Sequence, residues 1–376
     1  MMRSFISGND AAAEAVRLAR PRVISAYPIT PQTTIVERLS EFVEDGSLDA
    51  EFIHVESEHS ALSAAMGASL AGVRAFTATS SQGLLYMAEV LPYAAGGRFP
   101  IVMVNANRSL ALPWNIYGDQ RDSLSLLDSG WIQAYAENAQ EVLDLTLTAF
   151  RVAEAPSVRA PFMVNLDGFH LTHTYEVVHL PEQAQVNAFL PDYDPGENQI
   201  DFETPRSFGF SAGPEWNASF HRSHHEAMLR AWNVIDRAEG EFSEIFGRRY
   251  TGGVDAYRCG DAEYILVTLG SVSGLCRQAA DSLRDHGVRA GILRLRYLRP
   301  FPDERVREVL SSAKATAVLE KDISFGGAGT VFTNVRASAP AQLNVIGGLG
   351  GGDISTAQIV SIFESLLQGE SGVKWL

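Results

Sequence analysis

The sequence predicts an α/β protein that contains two regions of mainly parallel sheet. Short apolar runs alternate with helical patterns over residues 1–170, and a second alternation begins near residue 262. The chain has 376 residues, of which 46% are hydrophobic, so it can bury the cores of two or three domains. Strands that alternate with helices are typical of parallel sheets, whose ligands bind beyond the carboxyl ends of the strands.

The first alternation begins with a predicted helix at 11–19, for which Asn9 or Asp10 is the expected N-cap. Further on, Thr30 precedes Pro31 in the pattern of an N-cap followed by proline at the first helical position, which predicts a second helix. The region is completed by predicted strands at 22–27, 52–55, 73–79, 100–105 and 161–167 and predicted helices at 57–70, 82–94 and 141–152.

The middle of the chain loses this pattern. The stretch 176–212 is rich in Pro, Asp and Gln and has no sustained period, so we expect an extended connector over the surface, followed by a long amphipathic helix at 223–246. We therefore divide the chain into regions at 1–175, 176–254 and 255–376. The last region has predicted strands at 264–268, 288–293, 315–320 and 342–346 and predicted helices at 273–286, 303–310 and 356–367.

Composition argues against several classes of function. The formal net charge of −15 is unfavourable for binding nucleic acid or an anionic membrane surface. No stretch reaches the roughly 20 apolar residues of a membrane helix, and no run of signal-peptide length follows the first residues, so we expect a cytoplasmic protein. The two cysteines, Cys259 and Cys276, form no Cys-x-x-Cys motif and are expected to be buried thiols. Because an iron–sulfur cluster needs about four thiolates, any cluster that serves this protein would lie on another chain.

Two motifs lie where a predicted strand passes into a helix. Tyr-Pro-Ile-Thr-Pro-Gln-Thr at 27–33 brings amides and hydroxyls to a helix N-terminus, which favours anions, although a plain capped helix explains the same residues. Glu-Ser-Glu at 56–58 places two carboxylates at the next helix start. The helix dipole alone accounts for glutamates there, but a partly buried glutamate could also share a proton with a ring nitrogen.

A third motif, Asn-Ala-Asn-Arg-Ser at 105–109, ends another predicted strand. Arg108 can clamp a carboxylate with two parallel hydrogen bonds, or it can be an ordinary surface residue. The polar and aromatic loop at 114–122 is of a kind that lines binding sites. Weaker signals are the glycine-rich runs at 326–329 and 347–352, which lack a dinucleotide-binding register, and three histidines that we expect to be solvated, His221, His224 and His225.

Together these motifs are similar to those of one family. Tyr-Pro-Ile-Thr-Pro at 27–31 and Glu-Ser-Glu at 56–58 stand in the order found in α subunits of multi-subunit pyruvate:ferredoxin oxidoreductases, which the chain resembles over nearly its whole length. The resemblance implies a thiamine-diphosphate-binding sheet of the pyrimidine-binding type, followed by a transketolase C-terminal-like α/β domain that serves chiefly in assembly. Also in family order are Ser-Gln-Gly-Leu at 81–84, Asn-Arg at 107–108, Gly-Asp at 118–119, Asp-Ser-Gly-Trp at 128–131, Asp-Gly-Phe at 167–169, Leu-Arg-Pro-Phe-Pro at 298–302, Glu-Lys-Asp-Ile-Ser-Phe-Gly-Gly at 320–327 and the glycines at 347–352.

The resemblance also implies roles for residues near the cofactor. Glu58 matches the carboxylate that hydrogen-bonds the pyrimidine ring nitrogen of thiamine diphosphate, a contact that favours the reactive tautomer of the ring. Glu56 is expected to be structural. The other implied cofactor contacts are Tyr27, Pro28 and Ile29.

The substrate contacts implied by the resemblance are Thr30 and Arg108. Thr30 matches a threonine that hydrogen-bonds the bound 2-oxoacid, and Arg108 matches the arginine that holds its carboxylate. Trp114 lies in the following loop. It could shape the pocket for a substrate bulkier than pyruvate, or it could be a packing residue, which is the interpretation we favour.

The sequence contains no Gly-Asp-Gly, the motif with which thiamine enzymes usually hold the diphosphate and its magnesium. The cofactor is therefore expected to be shared with a β subunit, with Mg2+ and [4Fe-4S] clusters on partner chains that include γ and ferredoxin-like δ subunits. The implied activity is CoA-dependent oxidative decarboxylation of a 2-oxoacid, with pyruvate favoured, to acyl-CoA and CO2, and electrons pass to ferredoxin. The open alternatives are phenylglyoxylate, 2-oxoisovalerate, 2-oxoglutarate or oxalate as substrate, another electron acceptor, and a non-catalytic scaffold subunit.

Overall fold

The computed structural model describes residues 2–209 and 211–376; Met1 and Phe210, which fall in the predicted regions 1–175 and 176–254, lie outside the described residues. The elements up to residue 246 are β1 (Met2–Ser7), α1 (Gly8–Ala19), β2 (Val23–Ala26), α2 (Thr33–Glu44), β3 (Glu51–His54), α3 (Glu58–Leu70), β4 (Ala75–Thr79), α4 (Ser81–Tyr86), α5 (Val90–Gly96), β5 (Val102–Asn107), α6 (Arg121–Leu124), β6 (Ile132–Tyr135), α7 (Ala139–Ala153), β7 (Phe162–Asp167), β8 (Tyr175–Leu180), α8 (Gln183–Phe189) and α9 (Pro214–Phe246). The remaining elements are β9 (Val254–Tyr257), β10 (Tyr264–Leu269), α10 (Ser273–Asp285), β11 (Ala290–Leu295), β12 (Tyr297–Arg299), α11 (Asp303–Leu310), β13 (Ala315–Glu320), α12 (Thr330–Ser338), β14 (Leu343–Ile346), α13 (Thr356–Leu367) and β15 (Gly372–Trp375).

Seven strands in the order β12-β6-β7-β5-β4-β2-β3 form the large sheet, in which every strand except β12 runs parallel to its neighbours. Both faces of this sheet are buried. Val102 and Val104 of β5 pack with α1, α2 and α7, whereas Met103 packs on the opposite face with α3 and α5. The carboxyl ends of the six parallel strands consequently share one edge, which we call the carboxyl edge.

The small sheet has the order β15-β14-β13-β10-β11-β9, and only β9 is antiparallel to its neighbour. Helices α10 and α13 cover one face and α11 and α12 cover the other. Cys259 and Cys276 are buried free thiols, as predicted, and burial raises the pKa of each to about 12. Both thiols therefore belong to the packing of this sheet.

The predicted starts of the first two helices are wrong. Ser7, and not Asn9 or Asp10, caps α1: the Ser7 hydroxyl accepts from the Asp10 amide at 3.1 Å, and the Ser7 amide donates to the Asp10 carboxylate at 3.0 Å. Thr30 is not an N-cap either, since α2 begins only at Thr33. A turn that joins the Gln32 amide to the Ile29 carbonyl at 2.8 Å keeps Thr30 in the loop before the helix.

The stretch predicted to be an extended connector contains β8 and α8. Strand β8 pairs antiparallel with β1, which the sequence analysis also missed because the two strands are far apart in the chain. The predicted helix at 82–94 is in fact two helices, α4 and α5, and α9 already begins at Pro214. Its first turns, residues 214–223, are exposed, so no buried stripe marks them. No helix in the described ranges has the combined length and apolarity that would let it cross a membrane.

Buried arginines of the small-sheet region bind helices of the large sheet. Glu141 on α7 accepts from Arg294 and, at 2.8 Å, from Arg296, whose Nη1 also donates to Glu239 on α9 at 2.5 Å. Burial alone would raise the pKa of Glu141, but the two guanidinium groups outweigh it and hold that pKa below its usual value. These ion pairs fix how the two sheets sit against each other.

We predict that Glu141→Gln lowers the free energy of unfolding by about 3–5 kcal/mol, because two buried guanidinium groups lose the carboxylate that they share and keep only Glu137 and Glu239 as partners. Glu41→Gln is the control, since it breaks an exposed pair with Arg38 at 2.7 Å. That loss should be below about 1 kcal/mol. Urea unfolding of the two purified variants makes the comparison, and losses of equal size would contradict it.

Candidate active site at the carboxyl edge of the large sheet

The loop at 27–32 after β2 lies against the end of β4. Gln32 Nε2 donates to the carbonyl of Ala78 at 3.0 Å, and Asn9 Nδ2 donates to the carbonyl of Pro31 at 2.7 Å. Within this loop, Tyr27, Pro28 and Thr30 are exposed and Ile29 is half-buried. The loop that carries four of the predicted site residues is thus held by contacts on two sides and presents its side chains beyond the sheet.

Glu58 is the first residue of α3 and is 8% exposed. In the described part of the chain its carboxylate makes no hydrogen bond or ion pair, and its oxygens keep some contact with solvent. Gly83 lies so close that a Cβ there would be 2.6 Å from Glu58 Oε1 and 2.7 Å from Thr79 Oγ1. The hydroxyls of Thr79 and Ser80 are also buried and have no partner among the described residues. This group of polar atoms is available to a ligand.

Glu56 differs from Glu58 in its surroundings, although only one residue separates them. It is exposed, and its carboxylate accepts a hydrogen bond from the Ser60 hydroxyl, which lowers the pKa of Glu56. The neighbouring Ser57 hydroxyl caps α3 by accepting from the Ser60 amide at 3.2 Å. The contacts of Glu56 are those of a helix start.

Arg108 follows the last residue of β5 and is 6% exposed. Its Nη1 donates to the Thr30 carbonyl at 3.0 Å, and its Nε donates to the Asn115 carbonyl at 3.2 Å. Burial lowers the pKa of Arg108, but a guanidinium group keeps its charge in proteins. The structure therefore brings Thr30 and Arg108 together and leaves Nη2 free of hydrogen bonds within the described residues.

A fully buried carboxylate that the sequence analysis did not single out, Asp122, organises this edge. Burial raises the pKa of Asp122 to about 6. Nothing in the loop 114–122 distinguishes Asp122 from Asp119, so only the fold reveals its role. Its donors, at 2.8–3.2 Å, are the backbone amides of Ser81, Arg108 and Ser123 and the side-chain amides of Asn105 and Asn107.

Trp114 is 64% exposed, so the interpretation that we favoured, a packing residue, is wrong. The guanidinium of Arg108 lies 5.5 Å from the centre of the Trp114 ring, within range of a cation–π contact. Leu112, just before this loop, and Tyr117 within it are also exposed, at 83% and 50%. The carboxyl edge therefore presents apolar side chains beside its buried polar atoms.

The weaker sequence signals have structural partners. His224 Nε2 lies 2.8 Å from the Gly130 carbonyl and His221 Nδ1 lies 2.9 Å from the Asn217 carbonyl. Among the residues at 2–209 and 211–376, no group of three or more His, Cys, Asp or Glu is arranged to hold a metal ion. His221 and His225 are exposed, as predicted, whereas His224 is half-buried against Gly130, so the prediction of a solvated side chain is wrong for His224.

Two family profiles match the chain. The profile of the pyruvate flavodoxin/ferredoxin oxidoreductase family, in its thiamine-diphosphate-binding part, matches residues 14–240. The chain belongs to this family. A second profile, pyruvate:ferredoxin oxidoreductase core domain II, matches residues 262–359, which contain most of the small sheet. The resemblance inferred from the motifs and the α/β fold class are thereby confirmed, and the class of protein is an oxidoreductase component.

Relatives within the family extend over the same length. Pyruvate synthase subunit PorA of Methanothermobacter thermautotrophicus is 48% identical over 100% of this chain and 98% of its own. Ketoisovalerate oxidoreductase subunit VorA of Pyrococcus abyssi is 44% identical over 97% of this chain and 93% of its own. The structure of a 2-oxoglutarate:ferredoxin oxidoreductase from Magnetococcus marinus, with 2-oxoglutarate, coenzyme A and succinyl-CoA bound, is similar in fold, with a TM-score of 0.73 and 21% identity. It covers 97% of this chain, which spans 65% of the chain in that structure.

We predict opposite effects for alanine at two helical glycines of this family member. A Cβ added to Gly67 in α3 would meet open space, with nothing within 4 Å, so Gly67→Ala should stabilise the fold by about 0.5–1 kcal/mol through helix propensity. Gly83→Ala should instead destabilise it, because its methyl group collides with Glu58 and Thr79. Thermal unfolding of both variants measures the difference, and a stabilised Gly83→Ala would show that the Glu58 carboxylate lies elsewhere.

Proposed function

We propose that this chain is the α subunit of a multi-subunit 2-oxoacid:ferredoxin oxidoreductase, in which it provides the aminopyrimidine half of a thiamine diphosphate site. The observation that carries the proposal is the unpaired carboxylate of Glu58, a buried residue at the carboxyl edge, with the unpartnered hydroxyl of Thr79 close by, all judged within the described residues. The proposed reaction is CoA-dependent oxidative decarboxylation of a 2-oxoacid to acyl-CoA and CO2, with electrons passed to ferredoxin.

The residues at this edge fit the pyrimidine end of the cofactor. A buried carboxylate is a suitable partner for a protonated ring nitrogen, and Glu58 would hold the proton at that atom. Tyr27, Pro28 and Ile29 would line the same side of the ring. Thiamine diphosphate, when bound, supplies the carbanion-stabilising chemistry of the reaction. Gly83 keeps the space beside the carboxylate open, because any side chain there would displace it.

Arg108 and Thr30 are proposed to hold the 2-oxoacid. The free Nη2 of Arg108 can donate to the substrate carboxylate, and the hydroxyl of exposed Thr30 can donate to a substrate oxygen. Because the carboxylate leaves as CO2, these residues must orient the substrate without over-stabilising the ground state. Pyruvate is the proposed substrate. A branched 2-oxoacid is the second candidate, since relatives are named for both pyruvate and ketoisovalerate and Trp114 stands beside the clamp.

We further propose that the site is completed by partner chains. The sequence has no Gly-Asp-Gly and only two cysteines, so the diphosphate, its Mg2+ and the [4Fe-4S] clusters would be bound by β, γ and ferredoxin-like δ subunits. Exposed Leu112, Trp114 and Tyr117 at the carboxyl edge suit contact with such a chain. The boundaries near residues 175 and 254 and a cytoplasmic location remain predictions.

In the assembled complex, we predict that Glu58→Gln lowers kcat by about 10²–10⁴-fold, because positioned proton transfer contributes that much to catalysis. Glu56→Gln is the matched control: its carboxylate is exposed and bonds only Ser60 in the described residues, so turnover should stay within about twofold of the parent. Steady-state assays with pyruvate and CoA compare the two. Full activity of Glu58→Gln would instead make the chain a scaffold.

Arg108→Lys should raise the KM for the 2-oxoacid by about 10-fold or more, because lysine cannot replace a planar, bidentate donor. The KM for CoA should not change, since the proposal assigns Arg108 to the carboxylate of the 2-oxoacid and not to CoA. Assays of the same complex measure both constants, with each 2-oxoacid of a panel varied at fixed CoA and with CoA varied at a fixed concentration of 2-oxoacid. An unchanged KM for every 2-oxoacid would rule out the carboxylate-binding role of Arg108.

A further inference from the structure

The glycine-rich run at 347–352, to which the sequence assigns no role, contacts the loop at 114–122 that follows Arg108. Gly350 N donates to Asp119 Oδ2 at 3.0 Å, and the Gly350 carbonyl accepts from Asn115 Nδ2 at 3.1 Å. The run follows β14 of the small sheet, whereas the loop follows β5 of the large sheet. A single glycine therefore pairs both of its backbone groups with a segment of the other sheet region.

Glycine is required at this contact for two reasons. Gly350 and Gly351 have φ angles of +58° and +81°, which L side chains rarely adopt. In addition, a Cβ on Gly350 would lie 2.5 Å from Asn115 Nδ2, and a Cβ on Gly351 would lie 2.3 Å from the Tyr117 side chain. The absence of side chains lets the backbone of the run approach the loop closely.

Asn115 transmits this contact to the site. Its Nδ2 is bound by Gly350, while its Oδ1 accepts from the Ser109 hydroxyl at 2.5 Å and from the Tyr117 amide at 3.0 Å. Its own carbonyl accepts from Arg108 Nε at 3.2 Å. Because three hydrogen bonds hold the Asn115 side chain, the backbone carbonyl of Asn115, which accepts from Arg108 Nε, is also held in one position.

Arg108 is in turn held at two points of its guanidinium group, Nε by Asn115 and Nη1 by the Thr30 carbonyl. Because the group is planar, fixing two nitrogens also fixes the direction of Nη2. We propose that Gly350 is a positioning residue for Arg108, so that the small-sheet region sets the orientation of the carboxylate clamp through Asn115. The inference rests on the proposed carboxylate-binding role of Arg108.

The test compares two alanine variants in the assembled complex. Gly350→Ala disrupts the contact with Asn115, whereas Gly369→Ala introduces alanine at a similar φ of +74° in the same region with no atom within 4 Å of the Cβ. We expect Gly350→Ala to raise the KM for the 2-oxoacid about 10-fold, with a smaller change in kcat and an unchanged KM for CoA. Gly369→Ala should leave all three constants unchanged.

Equilibrium binding gives a readout that does not depend on turnover. Calorimetry with oxamate, an unreactive isostere of pyruvate, should show about 10-fold weaker binding to Gly350→Ala and parental binding to Gly369→Ala. If Gly350→Ala does not assemble, Asn115→Ala decides the question, because it removes the anchored side chain and keeps the backbone carbonyl. The same loss of 2-oxoacid and oxamate affinity is expected from it.

Two outcomes would overturn the inference. In the first, Arg108→Lys weakens 2-oxoacid and oxamate binding, but Gly350→Ala, or Asn115→Ala where that variant is needed, leaves the KM and the oxamate affinity unchanged. This result would show that the glycine contact serves packing only, and it would leave the proposed function standing. Unchanged affinities in Arg108→Lys as well would remove the carboxylate clamp, and the positioning role would be lost with it.

Discussion

The buried carboxylate of Asp122 is the interaction on which the carboxyl edge depends. Without its donors a charge in this position would be costly, and the raised pKa of Asp122 records that cost. The donors come from the ends of β4 and β5 and from α6, so one side chain fixes Ser81, at the start of α4, and the backbone of Arg108 together. Helix α4 carries Gly83, which faces Glu58. The proposed pyrimidine contact at Glu58 and the proposed substrate contact at Arg108 are therefore both positioned by the Asp122 carboxylate.

The two sheets are coupled at several separate points. The ion pairs of Glu141 with Arg294 and Arg296 lie deep between the helices, whereas Asp167, at the end of β7, meets Lys321 at the carboxyl edge. Buried ion pairs are demanding in geometry, so they define the relative placement of the sheets more than they stabilise it. The proposed site at the carboxyl edge consists of loops. When the two sheets are held in fixed positions, the orientation of a charged donor such as Arg108 is set before the substrate binds.

Local patterns in the sequence predicted much of the fold, and long-range contacts account for what was missed. Helix α11 and strand β13 were predicted at their observed bounds, because their apolar periods are complete within the element. Strands β1 and β8 depend on each other across the chain, and β12 joins a sheet formed by residues far upstream, so no local period marks them. The Thr30-Pro31 pair has the local pattern of a helix start. The turn that the structure shows there instead is held by a hydrogen bond from the Gln32 side chain to the distant Ala78 carbonyl, which no local pattern reveals.

The same distinction applies to the site. Family motifs led to the prediction of Glu58, Thr30 and Arg108 as site residues, and the structure places them at one edge, whereas the contacts of Asp122 and Gly350 are visible only in the fold. A structure of the assembled complex with thiamine diphosphate tests the central claim most directly. We expect a carboxylate oxygen of Glu58 within about 3 Å of a pyrimidine ring nitrogen. A pyrimidine ring bound by another chain, with Glu58 distant from it, would contradict the account.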